Sequence, residues 1–399
     1  MFDHHLNDQP SLQHHSLGLA QDHGCKISKQ GLDKRFNDKS VDFFNTIFKN
    51  YLSKRINTGT IKSEWEKKFS AIRIMDSTEF KLPGSLSGSY PGYNGSGTKS
   101  GAQIQFEYDM FSGNVENISL EKILTSDVSY SLNHINTLVK NSLVIRDLGY
   151  FNVNAYKKLE EHNVYYISRL KPMMNLYQLV NNQYKQISYA SIIKKLKKSG
   201  KPYLDLDVYI GRAALYPVRL VANLLDKDAI KRREQKIRER RSRFNKADIY
   251  LNKLNLFITN TKREMVSSDE IYKLYKLRWQ VEIIFKGWKS ILKIHKVRKM
   301  NAHRFRCYLL SKLIWILFCW DIYKTVNAYA WRSSKESISI YKCIGLIKLQ
   351  IISLKEIFIK PQNKFHQWLH SLKEILLRYG LKEDKKGRIK VANLLKQTW

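Results

Sequence analysis

Residues 71–82 read AIRIMDSTEFKL, a run rich in β-branched side chains that follows a helical stretch. Reading it as a strand sets the class of fold. Upstream, SLGLAQDHG (16–24), SKQGLDKRFN (28–37) and DKSVDFFNTIFKNYL (38–52) read as helices, with Ser28 and Asp38 as N-caps. With Gly24 between them, the first two fit either a helix-turn-helix or a small helical cap on the next domain. Downstream, a Gly/Ser loop fills 83–101. IQFEYDMF (104–111) and NVENISLEKI (114–123) then alternate about Ser112 and Gly113 as a hairpin. A helix over 131–140, the apolar strand SLVIRDL (142–148), a helix over 154–162 and the strand VYYISRL (164–170) follow. Three adjacent strands followed by strand–helix alternation predict a mixed α/β sheet flanked by helices.

Residues 171–250 interrupt that rhythm. YLDLDVYIG and YPVRLVANLL look like further strands, and a dense basic run, which includes Arg238, Arg240 and Arg241, comes after them. The core pattern resumes with LNLFITN (254–260) and a long helix from about Ser268, so 171–250 reads as a β-rich insertion between core strands. Its basic run is either a solvated helix face or a phosphate contact.

The composition narrows the partner. Lys and Arg number 70 against 35 acids, a formal charge of +35, while 43% hydrophobic residues mark a globular chain. A folded body so charged repels itself without an anion, and nucleic acid is the polyanion that suits it, ahead of a membrane surface. The longest apolar run, CYLLSKLIWILFCW (307–320), contains Lys312 and is short for a span, so it reads as a buried helix. The first residues, MFDHHLNDQPSLQHH, show no signal-peptide pattern. Cys25, Cys307, Cys319 and Cys343 form no CxxC pair and read as thiols of a reducing cytoplasm.

The stretch YKLRWQVEIIFKGWK (275–289) carries the chemistry. On a helix, Tyr275, Arg278, Glu282 and Lys289 fall within roughly 60° of one another. Leu277, Val281, Ile284, Trp288 and Ile291 form a separate apolar face suited to packing on a sheet. The polar face is either an ordinary solvated one with an Arg278–Glu282 pair or part of a site.

Phosphoryl transfer at DNA uses two hard cations about 3.5–4 Å apart, one for the attacking and one for the leaving oxygen. Such cations take carboxylate oxygens, and three carboxylates from two strands and a helix would suffice. Asp76 lies inside an apolar strand, where a carboxylate is costly unless paired or metal-bound. Asp147 ends another apolar strand, before Gly149, where sites collect in α/β sheets. Either could instead cap a turn. Asp109, Asp127, Asp205 and Asp207 are rival acids without comparable settings.

The spacing Tyr275, two residues, Arg278, three residues, Glu282, six residues, Lys289 resembles the Y-R-E-K signature of the IS-four-like insertion-sequence transposases. MDST around Asp76 and RDLGYF around Asp147 resemble that family's first and second aspartate motifs, in the family's order and with a long insertion before the Glu. The resemblance implies an RNase H-like catalytic sheet with a DDE triad of Asp76, Asp147 and Glu282 holding two Mg²⁺ or Mn²⁺ ions. It also implies that Tyr275, Arg278 and Lys289 hold terminal DNA phosphates.

The resulting expectation is a transposase that cleaves DNA at element ends and transfers the freed strand into target DNA. Its organisation would be a helical DNA-binding or cap region at 1–65, an RNase H-like core at 66–170 and 251–300, the insertion at 171–250, and a helical C-terminal region at 301–399. Its partners would be double-stranded transposon ends and target, with no membrane. By family analogy it would act as a homodimer on paired ends, in a bacterial cytoplasm and nucleoid-associated when DNA-bound. The rival readings are a related nuclease that cuts without joining, and a catalytically inactive DNA-binding descendant of a transposase.

Overall fold

A computed structural model describes residues 11–54, 62–93, 97–211, 215–239, 250–359, 364–383, 391–395 and 397–398. The strand at its centre is β1 (Ile72–Lys81). Its period-two alternation sends Ile72, Ile74 and Phe80 into the main hydrophobic core and Met75 to the opposite face. β2 (Gly101–Asp109) and β3 (Val115–Lys122) continue from it as an antiparallel meander. β4 (Leu143–Arg146) and β5 (Tyr165–Arg169) lie on its other side, parallel to it and to each other. The order β3-β2-β1-β4-β5, with those directions, is the RNase H-like arrangement that the resemblance implies.

The stretch 171–250 contributes strands to the same sheet. It holds the hairpin β6 (Leu176–Val180) and β7 (Gln183–Ile187), then β8 (Leu204–Ile210) and β9 (Tyr216–Leu224). β10 (Leu254–Thr259) pairs antiparallel with both β5 and β9, which joins the two halves into one ten-stranded sheet ending β5-β10-β9-β8-β6-β7. β6 and β7 were not legible in the sequence: β6 (LYQLV) is a short run without a clear polar alternation, and β7 (QYKQI) is mostly polar and exposed.

The N-terminal helices are α1 (Leu12–His23), α2 (Lys29–Arg35) and α3 (Asp38–Ser53). Ser28 caps α2 as expected, whereas α3 is capped by Asn37 in a reciprocal box with Ser40, not by Asp38. α4 (Asp127–Asn133) starts earlier than the helix expected over 131–140, because Ser126 accepts from the Ser129 amide and caps it there. α5 (Val153–Glu161) and α6 (Tyr189–Ser199) pack on the second hydrophobic cluster. α7 (Lys227–Glu239) carries the part of the basic run that lies within the described residues.

The long helix expected from Ser268 is broken. α8 (Ser268–Tyr275) and α9 (Trp279–Ser290) are separated by a 3₁₀ turn at Lys276–Arg278. Its start is pinned from the sheet. Asp205 on β8 takes Arg219 of β9 at 2.7 Å and the Ser268 hydroxyl at 2.6 Å, while Arg219 also donates to the Val266 carbonyl at 2.7 Å. α9 buries Val281, Ile284, Phe285 and Trp288, and Trp288 meets Phe106 of β2 edge-on at 5.1 Å. Behind it runs α10 (Ala302–Ser334), the buried helix read from CYLLSKLIWILFCW. Lys312 on α10 donates to the Leu292 and Lys293 carbonyls, securing the chain just beyond α9. Among the described residues no helix is long and apolar enough to cross a membrane. All four cysteines are free thiols.

Candidate active site

The register of three parallel strands brings the candidate side chains level. Met75 of β1 stands opposite Arg146 of β4, which stands opposite Ser168 of β5. The next rung of each strand is therefore Asp76, Asp147 and Arg169, and by alternation all three face α8 and α9. Gly149, just past Asp147, lies close to a neighbour: a Cβ there would come within 2.9 Å of Asp127 Oδ2, at the end of that side chain. Asp127 in turn is held by the Gln103 and Gln105 amides, each at 2.7 Å.

The 3₁₀ turn delivers the remaining groups. Arg278 reaches Asp76 at 3.1 Å, Glu282 at 2.6 Å and Asp147 at 3.7 Å, so three carboxylates from two strand positions and one helix meet at one guanidinium. Tyr275 Oη donates to Asp147 at 3.3 Å. The site is graded in depth, with the Asp76 side chain 15% exposed and those of Asp147 and Glu282 41% and 38%. Burial pushes the Asp76 carboxyl up to about 6, against the Ser77 amide and Arg278, with the Asp147 and Glu282 charges adding to the rise. Burial also raises the Tyr275 phenol, with Asp147 adding to it. For Arg278 burial disfavours the charge, but Asp147, Tyr275 and Glu282 outweigh it and the guanidinium is held more firmly protonated.

The donor set has the chemistry that a hard divalent cation requires, all carboxylate oxygen on separate rigid elements. As placed, the three acids are bridged by Arg278, and among the described residues no three His, Cys, Asp or Glu side chains are grouped closely enough to hold a metal ion.

Of the other sequence candidates, Lys289 lies two turns along α9 from Glu282 and donates to the Glu79 carbonyl at 3.1 Å, beside the carboxylate cluster and not in it. Burial lowers its amine. Arg238 is exposed on α7, and Arg240 and Arg241 lie outside the described residues. The rival acids have structural work. Asp109 takes the Ile72, Phe111 and Ser112 amides, and Asp205 and Asp207 pair with Arg219 and Arg263.

Two residues of the site escaped the sequence reading. Arg169 stands one strand beyond Asp147, and its charge reaches Tyr275 and Arg233. Its signal was an arginine near the end of the strand VYYISRL, legible only once strand order is known. Trp279 is 56% exposed beside Arg278, whose guanidinium lies 5.8 Å from its ring. An aromatic that sits off the apolar face of α9 was the available clue.

Comparison with known proteins supplies the class. The family described as Transposase DDE domain matches residues 67–318, which take in β1 through the first half of α10 and all three carboxylates. The transposase for insertion sequence element IS231F of Bacillus thuringiensis subsp. israelensis is 32% identical, covering 93% of this chain and 81% of its own. That for IS231E of Bacillus thuringiensis subsp. finitimus is 30% identical with the same coverage. That for IS1151 of Clostridium perfringens is also 30% identical, over 93% and 82%. The chain belongs to the DDE transposases of insertion sequences.

Proposed function

We propose that this transposase works by divalent-metal-assisted hydrolysis at the ends of its element, followed by attack of the freed 3′-hydroxyl on target DNA, with Asp76, Asp147 and Glu282 as the triad. The observation that carries the reading is the convergence of those three carboxylates, from β1, the end of β4 and α9, on a single cationic group. The three would hold two Mg²⁺ or Mn²⁺ ions, which when bound supply an activated attacking oxygen and a neutralised leaving oxygen.

The protein's own groups have separable tasks. Asp76, deepest and fixed by the Ser77 amide at 2.8 Å, is the rigid member of the set. Tyr275 orients Asp147 through its hydroxyl. Arg278 and Lys289 would act on DNA phosphate, the first with its planar fork and the second as a point charge. Arg169 extends that cationic edge toward β10, and the exposed Trp279 offers a face on which an unpaired base can stack. The exposed Arg238 and its neighbours Arg240 and Arg241 would follow the duplex backbone. We further propose a homodimer on paired ends, in the bacterial cytoplasm and nucleoid-associated when DNA-bound.

The test is incubation of the purified chain with DNA carrying the two flanking element ends and Mg²⁺, followed by mapping of strand breaks and joined products. Breaks at the element boundary with 3′-hydroxyl ends that join to target DNA are expected. End-specific breaks without joining would mean a nuclease, and no breaks at either end would leave only DNA binding.

A further inference from the structure

Arg278 is placed oddly for a residue whose task is to hold DNA. Its guanidinium faces inward, is shared among three carboxylates at 2.6, 3.1 and 3.7 Å, and leaves its buried Nε without a hydrogen bond. One positive charge thus serves three negative ones. It occupies the position where the three sets of carboxylate oxygens come together, so these carboxylates cannot close on a shared hard cation while it stays. An arginine cannot vacate such a place by losing its proton, because its guanidinium is charged at any working pH. It must leave by moving. The residue lies at the end of the 3₁₀ turn between α8 and α9, a local departure from regular helix of the kind that marks hinges. The exposed Trp279 ring, 5.8 Å from the guanidinium, offers an aromatic face on the outward path.

We propose that Arg278 is an exchangeable counter-ion of the triad: it neutralises the carboxylates in the metal-free protein, swings outward toward Trp279 when they take up divalent metal, and only then is presented to a DNA phosphate. This rests on the reading of Asp76, Asp147 and Glu282 as metal ligands. Two consequences follow from one side chain having two partners. The metal-free site is protected from its own like-charge repulsion. Metal loading and phosphate binding become linked, and by reciprocity each strengthens the other.

The experiment is calorimetric titration of the full chain with Mn²⁺, without DNA, for the wild type and for Arg278→Gln, Arg278→Lys and Asp76→Asn. Because the guanidinium competes with metal, Arg278→Gln should bind Mn²⁺ more tightly than wild type, within the about 5- to 150-fold range of ordinary couplings. Arg278→Lys should fall between them, and Asp76→Asn should lose the site. If Arg278→Gln does not fold without metal, melting against Mn²⁺ concentration reads the same quantity, and its midpoint should climb more steeply than that of wild type. Unchanged or weaker Mn²⁺ binding by Arg278→Gln, with binding lost in Asp76→Asn, overturns the exchange and leaves the triad standing. Mn²⁺ binding by Asp76→Asn equal to that of wild type, or none by wild type, overturns both.

Discussion

The hydroxyl of Tyr275 lies 3.3 Å from Asp147 Oδ1, a contact that ties the last residue of α8 to the end of β4. The ring is buried and packs 5.0 Å from Phe257. Burial and the Asp147 charge keep the phenol protonated, so it acts as a donor that orients the carboxylate. Tyr275→Phe should keep the fold and lower end cleavage several-fold, in line with about 1 kcal/mol for one hydrogen bond. Tyr275→Ala should in addition cost roughly 3–5 kcal/mol of stability through the cavity it leaves. Single-turnover cleavage beside thermal melting separates the two.

Asp76 sets a pH dependence of stability in the metal-free protein. Its carboxyl is raised from 3.8 to about 6, first by burial. A raised carboxylate pKa means that the fold prefers the protonated form. Stability from this group therefore rises as pH falls through about 6, levels off near the ordinary carboxylate value, and is lost again as pH climbs. Two units correspond to on the order of 3 kcal/mol. In EDTA, Asp76→Asn should melt higher than wild type at pH 8 and lack the gain between pH 6 and pH 4. Parallel pH profiles for the two proteins would count against this account of the site.

The basic run divides into anchor and contact. Arg233 turns inward, donating to the Leu254 carbonyl at 2.8 Å and to Asn255 Oδ1 at 2.6 Å, so α7 is docked on β10. Arg238 is exposed. Arg238→Ala should weaken duplex binding and flatten the plot of log affinity against log salt by up to about one unit, one phosphate contact's worth. Arg233→Ala should instead lower the melting temperature. A salt slope unchanged by Arg238→Ala would make that residue merely solvated.

The pair Asp205–Arg219 holds the approach to the site without touching it. The Arg219 side chain is 5% exposed and that of Asp205 19%. Removing Arg219 takes away its bonds to Asp205 and to the Val266 carbonyl while Arg263 and Ser268 still hold Asp205, at a cost of about 1–3 kcal/mol. Arg219→Met should therefore destabilise the protein in that range by denaturant melting. It should also loosen the start of α8, read as faster amide exchange in Ser268–Tyr275. A loss below about 1 kcal/mol would mean that the loop before α8 is held by other contacts.

Much of this was legible in the sequence, because the informative signals are local. The β-branched run in AIRIMDSTEFKL marks β1, and the wheel of YKLRWQVEIIFKGWK separates a sheet-packing face, realised by Val281, Ile284 and Trp288, from a polar one. What escaped depends on neighbours distant in the chain. Arg169 joins the site only through the register of β4 and β5. The break at Lys276–Arg278 leaves no mark in the apolar periodicity, which continues through it. Lys289 shares the face of Glu282 on the wheel, yet two turns of rise carry it to the Glu79 carbonyl. That β6 to β9 add to the catalytic sheet follows from the pairing of β10 with both β5 and β9, a non-local fact.

The central claim is that Asp76, Asp147 and Glu282 carry the chemistry and not the grip on DNA. The most direct measurement compares wild type with Asp76→Asn, Asp147→Asn and Glu282→Gln on one labelled element-end duplex, reading strand cleavage on a denaturing gel and binding by gel shift. Each variant should bind the duplex within a few-fold of wild type when binding is compared in EDTA, where no metal is loaded, and should produce no detectable cleavage with Mg²⁺. Cleavage at the wild-type rate by any one of the three would remove that residue from the triad and contradict the account.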